Sequence, residues 1–184
     1  MSGTIIIGAG QAGSAAAAKL RNLGYEGDIT LIGAETAPPY QRPPLSKKYM
    51  LGEMELERLY LRPIDFYETN NITLRLGTKV DAIDTTQRSI SVQGETLSYD
   101  NLILTTGSWP RRLPAKIGGD LAGVYSMRDL ADADAMAEEF QEAQRTLIIG
   151  GGYIGLEVAA VAAKKGVNVT LVEIINCLSC PCSS

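Results

Sequence analysis

Two stretches of the 184-residue chain read Gly-x-Gly-x-x-Gly: Gly8-Ala9-Gly10-Gln11-Ala12-Gly13 and Gly150-Gly151-Gly152-Tyr153-Ile154-Gly155. Each follows an apolar, β-prone run and opens an alanine-rich stretch with strong helix propensity, so each reads as strand, glycine turn, helix. The chemistry suited to this spacing is capture of a pyrophosphate. The first glycine permits the tight turn, the second lets the backbone approach a phosphate, and the third lets helix pack against strand. The helix N-terminus then offers amide N–H groups and a partial positive charge. An acidic residue ends the strand that follows each helix, Glu35 and Glu173, where a carboxylate accepts hydrogen bonds from a ribose. Close packing alone accounts for one isolated glycine motif, but less well for two that repeat the whole context.

The second half of the chain thus repeats the start of the first: an internal repeat of two dinucleotide-binding units. Two dinucleotides in one protein point to a flavin and a nicotinamide, because hydride transfer needs a donor and an acceptor. At Glu173 a carboxylate repels a 2′-phosphate, which favours NAD over NADP. The contact set read from the motifs is Gly8, Gly10, Ala12, Gly13 and Glu35 for the first cofactor, and Gly150, Gly152, Tyr153, Ile154, Gly155 and Glu173 for the second.

Composition narrows the chemistry further. The chain has no histidine, which removes Ser-His-Asp and Cys-His catalysis and most zinc sites. Its three cysteines, Cys177, Cys180 and Cys182, all lie in the last eight residues, so residues 1–176 hold no thiol for a disulfide, a nucleophile or an iron–sulfur cluster. Seventeen Lys plus Arg against twenty-one Asp plus Glu give a net charge of −4, the wrong sign for a nucleic-acid binder. No apolar run approaches the roughly 20 residues of a bilayer span, and no basic region precedes the first apolar stretch, so a cytoplasmic protein is expected.

The elements that must position these residues follow from pattern. A strand at 4–7, a helix closed by Gly24 and a strand at 28–33 form a βαβ unit. Prolines at 38–39 and 43–44 mark turns, a short helical stretch covers 45–50, and another helix runs from 63 to 69. Short β-prone pieces at 72–75, 78–83 and 89–92 predict an antiparallel meander, and 99–107 predicts a buried strand ending in Gly107. After an irregular basic stretch at 108–116 come a helix at 129–143 with an acidic face, a strand at 145–149, a helix to 165 and a strand at 167–172. The expected fold class is α/β. A Rossmann-like dinucleotide-binding domain with an antiparallel β-meander (1–110) precedes the first βαβ unit of a second Rossmann domain (111–173), with a tail at 174–184 that fits neither pattern.

Gly8 to Gly13, Pro43-Pro44-Leu45-Ser46-Lys47, Thr105-Thr106-Gly107 and Gly150 to Glu157 together resemble the FAD-dependent, NADH-linked ferredoxin reductases of bacterial oxygenase systems. The resemblance runs almost continuously from Thr4 to Glu173. It implies FAD on the first fingerprint, which makes 1–110 the FAD-binding domain, NAD on the second, which makes 111–173 the start of the NAD-binding domain, and single electrons passed to a small iron–sulfur ferredoxin that feeds a cytochrome P450 or a ring-hydroxylating dioxygenase. It also implies catalytic roles for Lys47, close to the reactive flavin nitrogen, and for Glu157, paired with it. Read from the residues alone, Lys47 is a solvated lysine beside Lys48, and only the Pro-Pro-Leu-Ser-Lys match gives it a role. Arg42 and Arg128 are candidates for flavin or phosphate contact, with plain surface arginines the alternative. Thr106 and Gly107 are expected to approach the flavin by backbone, and Val80 to lie near the adenine. The region around 41–47 and the helix after Gly155 lack the redox cysteines of disulfide reductases, which argues against that activity.

The tail departs from the family's pattern. Room for only one βαβ unit after Gly150, and the abrupt change of composition after Glu173, give the expectation of a truncated or frameshifted product. The clustered cysteines are not read as a metal site, for want of further ligands. Two further readings stay open: a non-catalytic flavin-binding fragment that holds FAD weakly, and a rubredoxin reductase or NADH oxidase of the same flavoprotein class. The oligomeric state is not legible.

Overall fold

The computed structural model describes residues 3–173; the cysteine-bearing tail lies outside them. The chain divides into two compact units, one formed by Met1–Gln41 and Tyr60–Ser108, the other by Arg42–Leu59 and Trp109–Ser184. The segment at 42–59, which the pattern alone leaves with the first domain, therefore packs with the second unit.

In the first unit, β1 (Gly3–Ile7), β2 (Ile29–Ile32) and β3 (Ile72–Arg75) pair in parallel, with helix α1 (Gln11–Asn22) crossing between β1 and β2. β4 (Val80–Asp84), β5 (Ser89–Val92) and β6 (Glu95–Leu104) continue the sheet in the order β3-β2-β1-β6-β5-β4. β6 joins two kinds of pairing. Its first half runs antiparallel to β5, and its second half runs parallel to β1 with Leu104 opposite Ile7. The meander is thus β4-β5-β6. The stretch at 72–75, expected in it, is instead the edge of the parallel sheet, because Ile72 to Arg75 stand in register with Ile29 to Ile32. β6 also corrects the expectation of a buried strand: only Tyr99 within it is buried, and Leu104 is exposed.

Alternation along β1 builds two cores. Ile6 packs with Ala17, Ile29, Leu31, Tyr67 and Ile72 on the face covered by α1 and by α2 (Asp65–Thr69). Ile5 and Ile7 pack on the other face with Ile32, Ile90, Val92 and Tyr99, so the meander covers the side that a second helix covers elsewhere in parallel sheets. Every residue of β1 is buried as a result.

In the second unit, β7 (Arg145–Ile149) and β8 (Asn168–Val172) pair in parallel around α4 (Tyr153–Lys164). α3 (Leu130–Glu142) opens with a capping box in which Asp129 and Asp132 each accept the other's backbone N–H. Ala133, Met136 and Phe140 form its buried stripe, and Met136 and Phe140 pack with Val158, Val161 and Ala162 of α4. Met50, 1% exposed, joins this core and ties the segment at 42–59 to it. No helix among the described residues is long and apolar enough to cross a membrane.

Candidate functional site

Each glycine fingerprint lies between a strand end and a helix start. In the first unit the Gly8 N–H donates to the Ile32 carbonyl at 2.8 Å, and in the second the Gly150 N–H donates to the Val172 carbonyl at 2.9 Å. Gly8 and Gly150 hold φ of +113° and +111°, a region that favours glycine. The repeat read from the sequence is therefore a repeat of geometry. Its acidic residues are not equivalent, however: Glu173 directly follows Val172, whereas Glu35 lies three residues past Ile32.

What a methyl group would meet at each glycine separates packing from binding. A Cβ at Gly13 would lie 2.0 Å from the Gly8 carbonyl oxygen, and one at Gly155 would lie 2.0 Å from that of Gly150, so both third glycines are demanded by the fold. A Cβ at Gly10 or at Gly152 would meet nothing within 4 Å. Both residues have extended φ and ψ that any residue can adopt (−89° and −164°; −68° and 174°). Nothing among the described residues requires glycine at these two places, and the space beside each backbone suits a group that approaches closely from outside.

The helix ends agree. α3 satisfies its own first turn with two aspartates, but α1 and α4 start at Gly10 and Gly152 with no side-chain cap and no carboxylate in the first turn among the described residues. Their N-terminal amides and dipoles suit an anion supplied by a ligand. The residues present fit a dinucleotide pyrophosphate at both places.

The acidic residues are held from different sides. Glu173 accepts a hydrogen bond from the Gly151 backbone N–H, within its own fingerprint. Glu35 accepts one from the Tyr40 hydroxyl, and its backbone carbonyl accepts the Gly77 N–H at 2.9 Å. Sequence reading missed Tyr40, which lies in a proline-rich turn with no recognisable spacing. It placed Thr105 within a motif but gave it no role; the Thr105 hydroxyl donates to the Gly8 carbonyl at 2.8 Å, and a Cβ at Gly8 would approach the Thr105 carbonyl oxygen to 2.1 Å.

Of the remaining candidates in the first unit, Ala12 is exposed in the first turn of α1, Thr106 and Gly107 are exposed just past β6, and Val80 starts β4 opposite Val92. In the second unit Tyr153 and Ile154 are exposed at the start of α4. Arg42 and Arg128 come together: the Arg42 Nη1 donates to the Arg128 carbonyl at 2.7 Å.

The structure also brings Lys47 and Glu157 together. Pro44 and the turn at Leu45–Tyr49 place the Lys47 Nζ 2.8 Å from Glu157 Oε1, and the Ser46 hydroxyl donates to Glu157 Oε2 at 2.5 Å. Ser46 is buried and was not among the expected residues. Partial burial pushes the Glu157 pKa up, but hydrogen bonds from Lys47 and Ser46 and the Lys47 charge outweigh it and hold the carboxyl below its usual value. A lowered folded pKa stabilises the fold above the ordinary carboxylate range, and that stability is lost as pH falls through the lowered value. With Lys47 half exposed, the contribution is modest. Wild type is expected to exceed Glu157→Gln by about 0.5–1 kcal/mol in urea unfolding at neutral pH, and the gap to close below the carboxylate range. A gap that persists at low pH contradicts this.

The chain is 45% identical over 173 residues to a ferredoxin–NAD(P)(+) reductase of a Sphingomonas species, covering 94% of this chain and 42% of the relative. Among solved structures, the putidaredoxin reductase of a covalent complex with putidaredoxin matches with a TM-score of 0.87 at 43% identity, over 92% of this chain and 42% of that one. A ferredoxin reductase from Rhodopseudomonas palustris matches with a TM-score of 0.89 at 35% identity, over 96% and 43%. The chain thus spans about two fifths of the length of the relatives it matches. The family model described as pyridine nucleotide-disulphide oxidoreductase matches residues 3–181. With two fingerprints shaped for dinucleotides and a match over almost all of its length, the chain belongs to the pyridine nucleotide-disulphide oxidoreductase family, whose members use FAD and NAD(P)H.

Proposed function

We propose that this chain holds FAD on the first fingerprint and NADH on the second, as part of a reductase that passes electrons to a small iron–sulfur ferredoxin. The observation that carries the reading is the pair of cradles at Gly10 and Gly152, each backed by an uncapped helix start. Bound FAD supplies the chemistry that accepts a hydride from NADH and releases electrons one at a time. The chain's own residues bind and orient. The amides that open α1 and α4 hold the two pyrophosphates, Glu35 and Glu173 accept from ribose hydroxyls, and Thr106, Gly107 and Val80 contact FAD. Arg42 and Arg128, joined through the Arg128 carbonyl, add positive charge for flavin or phosphate contact. Lys47 stabilises negative charge on the reduced flavin, and Glu157 with Ser46 keeps its ammonium in place.

A ferredoxin is favoured as acceptor because the named relatives are ferredoxin reductases and because residues 41–47 and α4 contain no cysteine to relay electrons to a disulfide. NADH-dependent reduction of a purified iron–sulfur ferredoxin by the FAD-loaded chain, followed in the visible spectrum, tests this. Turnover with ferredoxin supports the reading, and reduction of rubredoxin or oxygen without ferredoxin turnover contradicts it.

Nicotinamide choice gives a sharper test. Glu173→Ala removes the ribose acceptor and unties the Gly151 amide. NADH affinity is expected to fall about tenfold, the worth of one hydrogen bond to a charged group, with a smaller change for NADPH. An unchanged ratio of the two dissociation constants contradicts the assignment of Glu173 as selector.

A further inference from the structure

We propose that Tyr40 is a positioning residue for FAD: its hydroxyl fixes the Glu35 carboxylate in the orientation that accepts the ribose. The inference rests on the reading that the first fingerprint holds FAD.

The local structure is built for this. Tyr40 is 5% exposed, and Pro39 beside it is fully buried. An antiparallel bridge between Tyr40 and Tyr60 and a hydrogen bond from the Leu61 N–H to the Pro39 carbonyl, 2.9 Å long, staple the turn to the next segment. On the other side, Glu35 is pinned through its main chain. The Gly77 N–H donates to the Glu35 carbonyl at 2.9 Å, and the Thr78 N–H donates to the Gly33 carbonyl at 2.8 Å. Between these fixed backbones the Tyr40 hydroxyl donates to Glu35 Oε2.

A glutamate side chain has three rotatable bonds, and ordering it opposes ligand binding unless something orders it beforehand. Glu173 directly follows its strand and is ordered by the Gly151 amide of its own fingerprint. Glu35 stands two positions further from its strand end, and there a rigid phenol donates to the carboxylate. An ionised carboxylate accepts several hydrogen bonds at once, so a bond from tyrosine does not by itself preclude a ribose.

The experiment is FAD titration of the full chain by flavin fluorescence, with wild type, Tyr40→Phe, Glu35→Ala and the double variant, and with FMN, which lacks the adenosine ribose, as a second probe. Tyr40→Phe keeps the buried ring, and is expected to raise the dissociation constant for FAD about tenfold while leaving that for FMN unchanged. In the Glu35→Ala background the same substitution is expected to add nothing. FAD binding unaffected by Tyr40→Phe, an equal loss for FMN, or a full loss in the Glu35→Ala background overturns the role of Tyr40. Glu35→Ala that binds FAD like wild type overturns the ribose-binding reading of Glu35 itself.

Discussion

Gly10→Ala is expected to leave the protein as stable as wild type and to weaken FAD binding about 10- to 100-fold, an overpacking cost of roughly 1–3 kcal/mol borne by the cofactor alone. The added methyl group meets no protein atom within 4 Å, and φ and ψ at Gly10 suit any residue. Alanine caps a helix less well than glycine but restricts the unfolded chain, so the two effects on stability oppose each other to within about 1 kcal/mol. The matched control is Gly13→Ala. There the same methyl group would lie 2.0 Å from the Gly8 carbonyl oxygen and 2.9 Å from the Thr105 hydroxyl, so the turn itself must shift and stability must fall. Thermal unfolding without FAD, alongside FAD titration, separates the two cases. Equal loss of stability in both variants contradicts the division between a packing glycine and a binding one.

Lys47→Ala carries the second large effect. On the role proposed for Lys47, removing its cation is expected to slow flavin reduction by NADH about 100-fold, the low end of the loss found for a single electrostatic group in an active site. Stability should fall by no more than about 1 kcal/mol, because the Lys47 side chain is half exposed and its pair with Glu157 is only partly buried. Stopped-flow loss of flavin absorbance in the FAD-loaded protein measures the rate. Reduction at the wild-type rate assigns Lys47 to the solvated surface, where its neighbour Lys48 stands.

The glycine fingerprints were legible because their glycines answer to local rules: positive φ at Gly8 and Gly150, and a helix packed close at Gly13 and Gly155. The elements around them were legible for the same reason, since strand, turn and helix signals lie within a few residues of one another. Pairing was harder. Four residues such as Ile72 to Arg75 carry a β signal but no mark of their partner, and their place beside β2 follows from a register set in the folded sheet. β6 reads as one apolar strand, yet it serves an antiparallel pairing at one end and a parallel one at the other, and most of its residues are exposed. The placing of 42–59 with the second unit depends on Met50 entering a core formed by α3 and α4, a contact far away in sequence. Hydroxyl groups were the least legible. Tyr40, Ser46 and Thr105 gain their meaning from partners distant in sequence or held by a turn, which no spacing in the chain announces. The Lys47–Glu157 pair came only from resemblance, because a separation of 110 positions leaves no periodicity to connect the two residues.

The most direct test of the account is to load the chain with FAD, remove unbound flavin, and add NADH or NADPH without oxygen while recording the flavin spectrum. One FAD per chain, bleached by NADH faster than by NADPH, is the predicted result. A chain that retains no FAD, or that holds FAD which NADH leaves oxidised, would contradict the claim that the two fingerprints bind a flavin and its reductant.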